Sequence, residues 1–346
     1  MRSLLFVPGD DERKIAKALG SAADALILDL EDAVAPQRKA AAREVCGAVL
    51  RATQTPKALF VRVNALDTAD HAHDLKAVAG AKPFGIVLPK CRHGSDVRQL
   101  GNALDELEAQ AAIERGTIRI LPIVTETAAS LFGLGTYAEP ASPRLYGMMW
   151  GGEDLAADIG ALANRDAEGR YTAPYELARA LCLLGAAAAS VLAVDAVYTD
   201  FRDLAGLKAE ALLGLRSGFG AKAAIHPAQI DVINKAFTPS RSDVEWGKRV
   251  VRRSLTPAAA SLRSTAKCST ARTCAAPGAC SSARAKPALS TEVSASAFWR
   301  PQCPHHHSHR AQPTRLTRCL ESRSSIFRMS TTGPMPPFSW HWRARP

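Results

Sequence analysis

The chain has 346 residues, 47% of them hydrophobic, and a formal net charge of +11. That is enough apolar material for a large buried core. The charge is unevenly spread: up to Val251, 29 Lys and Arg stand against 31 Asp and Glu, whereas from Arg252 onward 15 basic residues face only Glu292 and Glu321. The body is thus near neutral, which removes the reason to read it as a nucleic-acid binder or a membrane-surface binder.

Short apolar runs with strand character recur along the body. The first, Leu4 to Val7, stops at Pro8 and Gly9 and is too short for the apolar core of a secretory signal. The second, Ala25 to Leu30, holds Asp29 and runs into Glu31 and Asp32, and these three carboxylates form an acidic cluster with two readings. It is either a helix N-cap with first-turn acids or a group of carboxylates awaiting a cation. The third, Ala58 to Val63, carries Arg62. Strand alternation puts Phe60, Arg62 and Asn64 on one face, and an Arg there needs either an anionic ligand or an internal ion pair.

The fourth run, Gly85 to Leu88, leads to Pro89 and Lys90. The fifth, Ile118 to Val124, leads to Glu126, and the sixth, Leu145 to Trp150, leads to Gly151, Gly152, Glu153 and Asp154. One carboxylate at each of two neighbouring strand ends can hold a hard cation such as Mg2+, which takes its remaining oxygens from water and substrate. The two glycines would let backbone approach a ligand. The longest apolar stretch, Leu181 to Val194, predicts a buried barrel helix rather than a membrane span. Val194 to Tyr198 is the seventh predicted strand, and Ala223 to Ile225, before His226 and Pro227, is the eighth. Lys90 and His226 are each either catalytic or structural.

Eight strand and helix units in about 230 residues predict an α/β chain folded as a (β/α)8 TIM barrel, with its chemistry at the strand C-termini. The barrel domain is expected to span residues 1–251. Its three scattered cysteines, Cys46, Cys91 and Cys182, suit a reducing cytoplasm.

The remaining residues, 252–346, show neither helical nor strand period and hold five of the eight cysteines, three of the five tryptophans and His305 to His307. The cysteines at Cys268, Cys274 and Cys280 are spaced Cys-x5-Cys-x5-Cys, unlike the C-x2-C pairs usual for zinc, and disorder is the expectation.

The ordered motifs Leu5-Phe-Val-Pro-Gly9, Leu28-Asp-Leu-Glu-Asp-Ala-Val34, Val61-Arg-Val-Asn64, Leu88-Pro-Lys90, Thr125-Glu-Thr127, Gly152-Glu-Asp-Leu155 with Asp158, Tyr198-Thr-Asp200 and Ile225-His-Pro-Ala-Gln229 carry a resemblance. Together they resemble the citrate lyase β-subunit family, including its stand-alone CoA-ester lyases, in the HpcH/HpaI aldolase superfamily. The resemblance implies a Mg2+-dependent retro-Claisen cleavage of a 3-hydroxyacyl thioester, such as malyl-CoA or citramalyl-CoA. It implies Glu126 and Asp154 as metal ligands, Arg62 as the group that binds the oxo-acid or thioester oxygen, and Glu31 and Asp32 as outer partners of the metal. It also implies a CoA thioester and a small oxo-acid as ligands, no nucleic acid or membrane partner, and a homo-oligomer, trimeric or hexameric. A citrate lyase β subunit acting on an acyl carrier protein thioester, and a ligand-binding barrel with impaired catalysis, are the alternatives.

The chain departs from the family after Val251, where relatives carry an Asp-Gly-Lys-Met-like segment that covers an active site. Restoring one G after the Val251 codon yields, with permitted codons, a reading frame containing DGKMLD and an Arg-rich helical end. Residues 252–346 are therefore expected to be out-of-frame translation, which sequencing of genomic DNA across that codon tests. Loss of the covering segment would impair turnover.

Overall fold

A computed structural model describes residues 1–138 and 142–254 and gives the backbone alone for the last four of these. Eight parallel strands alternate with helices: β1 (Ser3–Pro8), β2 (Ala25–Asp29), β3 (Ala58–Arg62), β4 (Gly85–Leu88), β5 (Arg119–Pro122), β6 (Gly147–Met149), β7 (Leu192–Asp195) and β8 (Ala221–Ala224). The helices are α1 (Glu12–Leu19), α2 (Lys39–Ala52), α3 (Asp70–Val78), α4 (Gly94–Gln110), α5 (Ala128–Leu131), α6 (Glu153–Asp158), α7 (Ala173–Ala188), α8 (Leu204–Ser217), α9 (Ile230–Phe237) and α10 (Arg241–Ser254). The sheet runs β5-β4-β3-β2-β1-β8-β7-β6. Parallel bridges from Ile120 to Leu145 and from Ile123 to Met149 join β5 to β6 and close the barrel. The expected (β/α)8 barrel is thus the fold.

Alternation along each strand sorts the side chains into two cores. Leu4, Ile27, Phe60, Val87, Leu121 and Val194 point inward and fill the barrel. Leu5, Leu26, Val61, Ile86 and Ile120 point outward against the helices. Local signals set the helix ends: Asp11 accepts from the Lys14 amide to cap α1, Asp203 caps α8 through Gly206, and Gly218, at φ 117°, ends α8. Close approach explains Gly9, where a Cβ would lie 2.6 Å from the Asp29 carbonyl oxygen.

Two expectations need correction. The run Leu181 to Val194 is not one helix, because α7 ends at Ala188, Ser190 turns the chain at φ 56°, and β7 begins at Leu192. Nor is that helix buried all round, since Leu177 and Leu184 are exposed. The seventh strand accordingly starts two residues earlier than the sequence suggests and stops at Asp195, a charge the strand tolerates because Lys222 stands opposite it in register. The tail and its cysteines lie outside the described residues, apart from the backbone up to Ser254. No helix among the described residues is long and apolar enough to cross a membrane.

Candidate active site

A cavity of about 430 Å3 opens at the C-terminal ends of the strands. Phe6 and Pro8 of β1, Asp29 of β2, Arg62 of β3, Glu126 beyond β5, and Trp150 to Asp154 beyond β6 line it, with Tyr171 on one side. The structure thus brings Arg62, Asp32, Glu126 and Asp154 around one space, with Glu31 buried beside it.

Register explains the arrangement. Asp29 and Arg62 are opposite residues of β2 and β3. Arg62 Nε lies 2.7 Å from Asp29 Oδ1 and Nη2 lies 2.6 Å from Oδ2. The two-pronged Nε/Nη2 edge of the guanidinium is therefore engaged inside the protein. The other nitrogen, Nη1, faces Glu31 Oε2 at 3.1 Å and Asp32 Oδ2 at 3.5 Å, and the guanidinium sits over the Phe6 ring. Burial alone would lower the guanidinium pKa, but Asp29 and the other acids hold it above its ordinary value.

Glu126 is buried at the mouth of β5 and accepts from the Lys90 amide. Burial, together with the charge of Asp154, pushes its carboxyl up to about 8. Two carboxyl groups this coupled, one of them desolvated, are a poor arrangement without a cation and a fitting one with it. Asp154 Oδ2 and Glu31 Oε2 sharpen that test: both oxygens are buried and receive no hydrogen bond, each having an ion-pair contact at 3.1 Å, from Lys90 and from Arg62. Burial also raises the Glu31 carboxyl above its usual range. The residues present therefore fit a divalent cation with two protein carboxylates and room for other oxygens. No cluster of three or more His, Cys, Asp or Glu with metal-ligand geometry exists among the described residues.

Gly151 and Gly152 line the cavity, and their missing side chains also make room for neighbours. A Cβ on Gly151 would lie 3.0 Å from Glu126 Cγ, and one on Gly152 would lie 3.0 Å from Trp150 Cζ3. The space they free is taken by Glu126 and Trp150. Thr125 Oγ1 accepts from the Gly151 amide at 2.9 Å, which ties the two carboxylate-bearing loops together.

Asn64 does not join Arg62 in the cavity. It lies past the end of β3, where its side chain donates to Leu30 O and Asp74 Oδ2 and accepts from Lys39. His226 stacks on Phe201 and accepts from the Ala228 amide, outside the cavity lining. Gln229 is likewise a brace, donating to Tyr198 O and accepting from the Ile225 and His226 amides. Sequence reasoning counted Asp29 in the acidic cluster without giving it a partner, and left Lys90 open. The Lys90 ammonium lies 2.6 Å from Glu31 Oε1 and 3.1 Å from Asp154 Oδ2. Burial would lower its pKa, but the bond to Glu31 and the nearby charges raise it.

The family model described as HpcH/HpaI aldolase/citrate lyase matches residues 2–227. A (3S)-malyl-CoA thioesterase from Cereibacter sphaeroides is 39% identical over 253 residues, covering 72% of this chain and 81% of that protein. The human mitochondrial citramalyl-CoA lyase is 31% identical over 266 residues, covering 72% of this chain and 74% of its own length. Among solved structures, the protein CitE from Mycobacterium tuberculosis in complex with magnesium, acetoacetate and coenzyme A is 38% identical with a TM-score of 0.60, covering 73% of this chain and 86% of that one. The order of motifs, the barrel and these matches agree, and the chain belongs to the HpcH/HpaI aldolase/citrate lyase family.

Proposed function

We propose that this protein is a Mg2+-dependent carbon–carbon lyase that cleaves, or forms, a 3-hydroxyacyl-CoA such as malyl-CoA or citramalyl-CoA. The observation that carries the reading is the pairing of Glu126 and Asp154 at neighbouring strand ends, with a buried oxygen of Asp154 receiving no hydrogen bond, across the cavity from Arg62. CitE was crystallised with magnesium, acetoacetate and coenzyme A, and the citramalyl-CoA lyase relative supports the same class of substrate.

In this reading Glu126 and Asp154 hold the cation. Mg2+ supplies a Lewis acid for the oxygens at the hydroxy-acid end of the substrate. Arg62 Nη1, which faces Glu31 and Asp32 and is not bound to Asp29, would meet the thioester or oxo-acid oxygen, while Asp29 fixes the plane of the guanidinium. Cleavage breaks the bond between the α-carbon and the hydroxyl-bearing carbon. The hydroxyl loses its proton to become the carbonyl of the oxo-acid, and the electron pair passes to the acyl thioester as an enolate, which then takes a proton. Trp150 and Tyr171 wall the cavity and limit access of water to the enolate.

The free, buried cysteines Cys46, Cys91 and Cys182 support a reducing compartment, the cytoplasm, and the family resemblance supports a homo-oligomer. The test incubates the protein with malyl-CoA and with citramalyl-CoA, in Mg2+ and in chelator. Release of acetyl-CoA with glyoxylate or pyruvate only in Mg2+ is the expected result, and no cleavage of either, or cleavage undiminished by chelator, overturns it. A second reading, hydrolysis of the same thioester, is favoured by the 39% identical malyl-CoA thioesterase. Free CoA with malate, in place of acetyl-CoA with glyoxylate, would distinguish it.

A further inference from the structure

Lys90 reaches both proposed metal ligands through different atoms. Its amide N–H donates to Glu126, and its ammonium lies 3.1 Å from Asp154 Oδ2. The backbone that allows this is left-handed, at φ 51°, a conformation unfavourable for a residue with a side chain. A conformation of that kind persists where its surroundings hold it, here the bonds from the Lys90 amide and ammonium.

The ammonium is an incomplete partner. It sits within ion-pair distance of Asp154 Oδ2, yet that buried oxygen receives no hydrogen bond. Its firm bond is to Glu31 Oε1, at 2.6 Å. Five carboxyl groups, of Asp29, Glu31, Asp32, Glu126 and Asp154, crowd this end of the barrel, and the cations facing them among the described residues are Arg62 and Lys90. Arg62 is locked to Asp29. Lys90, half-exposed on a flexible four-carbon stem, is the one able to move.

We propose that Lys90 is the resident counter-ion of the site: its ammonium neutralises Asp154 when no divalent cation is bound and yields Asp154 on arrival of the metal, keeping Glu31. The proposal rests on the magnesium reading above and adds to it that cation binding is an exchange. The exchange preserves the shape of the metal-free site and weakens metal affinity, because the incoming cation must displace a charge already in place and then bind beside it.

The test measures thermal unfolding of the full chain in chelator and through a MgCl2 titration, for wild type, Lys90→Met and Lys90→Arg. Lys90→Met is expected to lower the midpoint in chelator, to be stabilised more by Mg2+ than wild type, and to bind Mg2+ roughly tenfold more tightly. Lys90→Arg, which keeps the charge, should stay near wild type on all three counts. An equal loss of midpoint with and without Mg2+, or an affinity in Lys90→Met no tighter than wild type, overturns the exchange while leaving the magnesium reading standing. A wild-type midpoint indifferent to Mg2+ overturns both. Should the Met variant not fold, crystals of wild type grown without metal and soaked in MgCl2 decide: separation of Lys90 Nζ from Asp154 on soaking is expected, and an unchanged contact refutes the exchange.

Discussion

Asp29 and Arg62 stand opposite each other in register on β2 and β3 and share a two-pronged ion pair at 2.7 and 2.6 Å. The charge that sequence alternation aims into the barrel mouth is thereby anchored before any ligand arrives. Arg62→Lys would keep the charge but not the fork, so Asp29 would lose one of its two bonds from Arg62 and keep those from the Glu31 and Ala33 amides. We expect a lower unfolding midpoint together with weaker oxo-acid binding, measured by calorimetry. Weaker binding at an unchanged midpoint would mean that the pairing with Asp29 adds nothing to the fold.

Glu126 and Asp154 make a different kind of pair, two acids on neighbouring loops that favour a cation between them. Glu126→Ala and Asp154→Ala should each abolish Mg2+-dependent turnover while the far-ultraviolet circular dichroism stays that of the wild-type barrel. Glu126→Gln should keep the bond from the Lys90 amide and lose the metal, leaving a midpoint in chelator at least as high as that of wild type. Turnover retained in either alanine variant would remove the metal assignment.

Gly151 lets the Glu126 side chain pass where a Cβ would stand 3.0 Å from Cγ and 3.2 Å from Ile123 Cγ2. Gly151→Ala therefore has to push Glu126 or the β5 loop aside. The expected result is a clear loss of Mg2+ affinity with a stability cost of about 1–3 kcal/mol from overpacking. A variant that binds Mg2+ as wild type does would show that the loop gives way without moving the carboxylate.

The barrel was legible because most strands are short apolar runs with a charged or polar residue soon after them, and a charge just past a buried strand has few places to go except the mouth. Glu126 and Asp154 could be read for that reason. The seventh strand was misplaced because the alanine-rich end of α7 runs into Leu192-Ala-Val194 with Ser190 as the one polar break, and the turn depends on a positive φ at Ser190, which residue type does not announce. Pairing was harder to read than placement. That Asp29 occupies the Arg62 fork follows from cross-strand register, and that Lys90 reaches two acids follows from a left-handed backbone. Motif membership also failed to separate chemistry from bracing: Asn64 and Gln229 sit in the ordered motifs, yet both spend their side chains on main-chain and neighbouring partners.

Asp195, fully buried at the end of β7, supports the cavity from behind. Its carboxylate lies 2.8 Å from Arg179 Nη2 and 3.3 Å from Lys222 Nζ, and it accepts from Trp150 Nε1 at 2.7 Å. Burial acts to raise its pKa, but Lys222 and Arg179 outweigh burial and leave it below the ordinary 3.8. A carboxylate lowered in the folded state stabilises the fold above its unfolded pKa, and that contribution disappears as pH falls through the folded value. Acid should thus erode wild-type stability below about pH 4. Asp195→Asn removes the charge at every pH and leaves the buried Lys222 with Glu210 as its remaining acidic partner. We expect a loss of roughly 3–5 kcal/mol at neutral pH and a shallower acid limb. Because Trp150 lines the cavity, the same variant should also bind substrate less tightly. Urea unfolding of both proteins from pH 7 downward checks the prediction: curves that fall in parallel would show that Asp195 is not among the groups that set the acid limit.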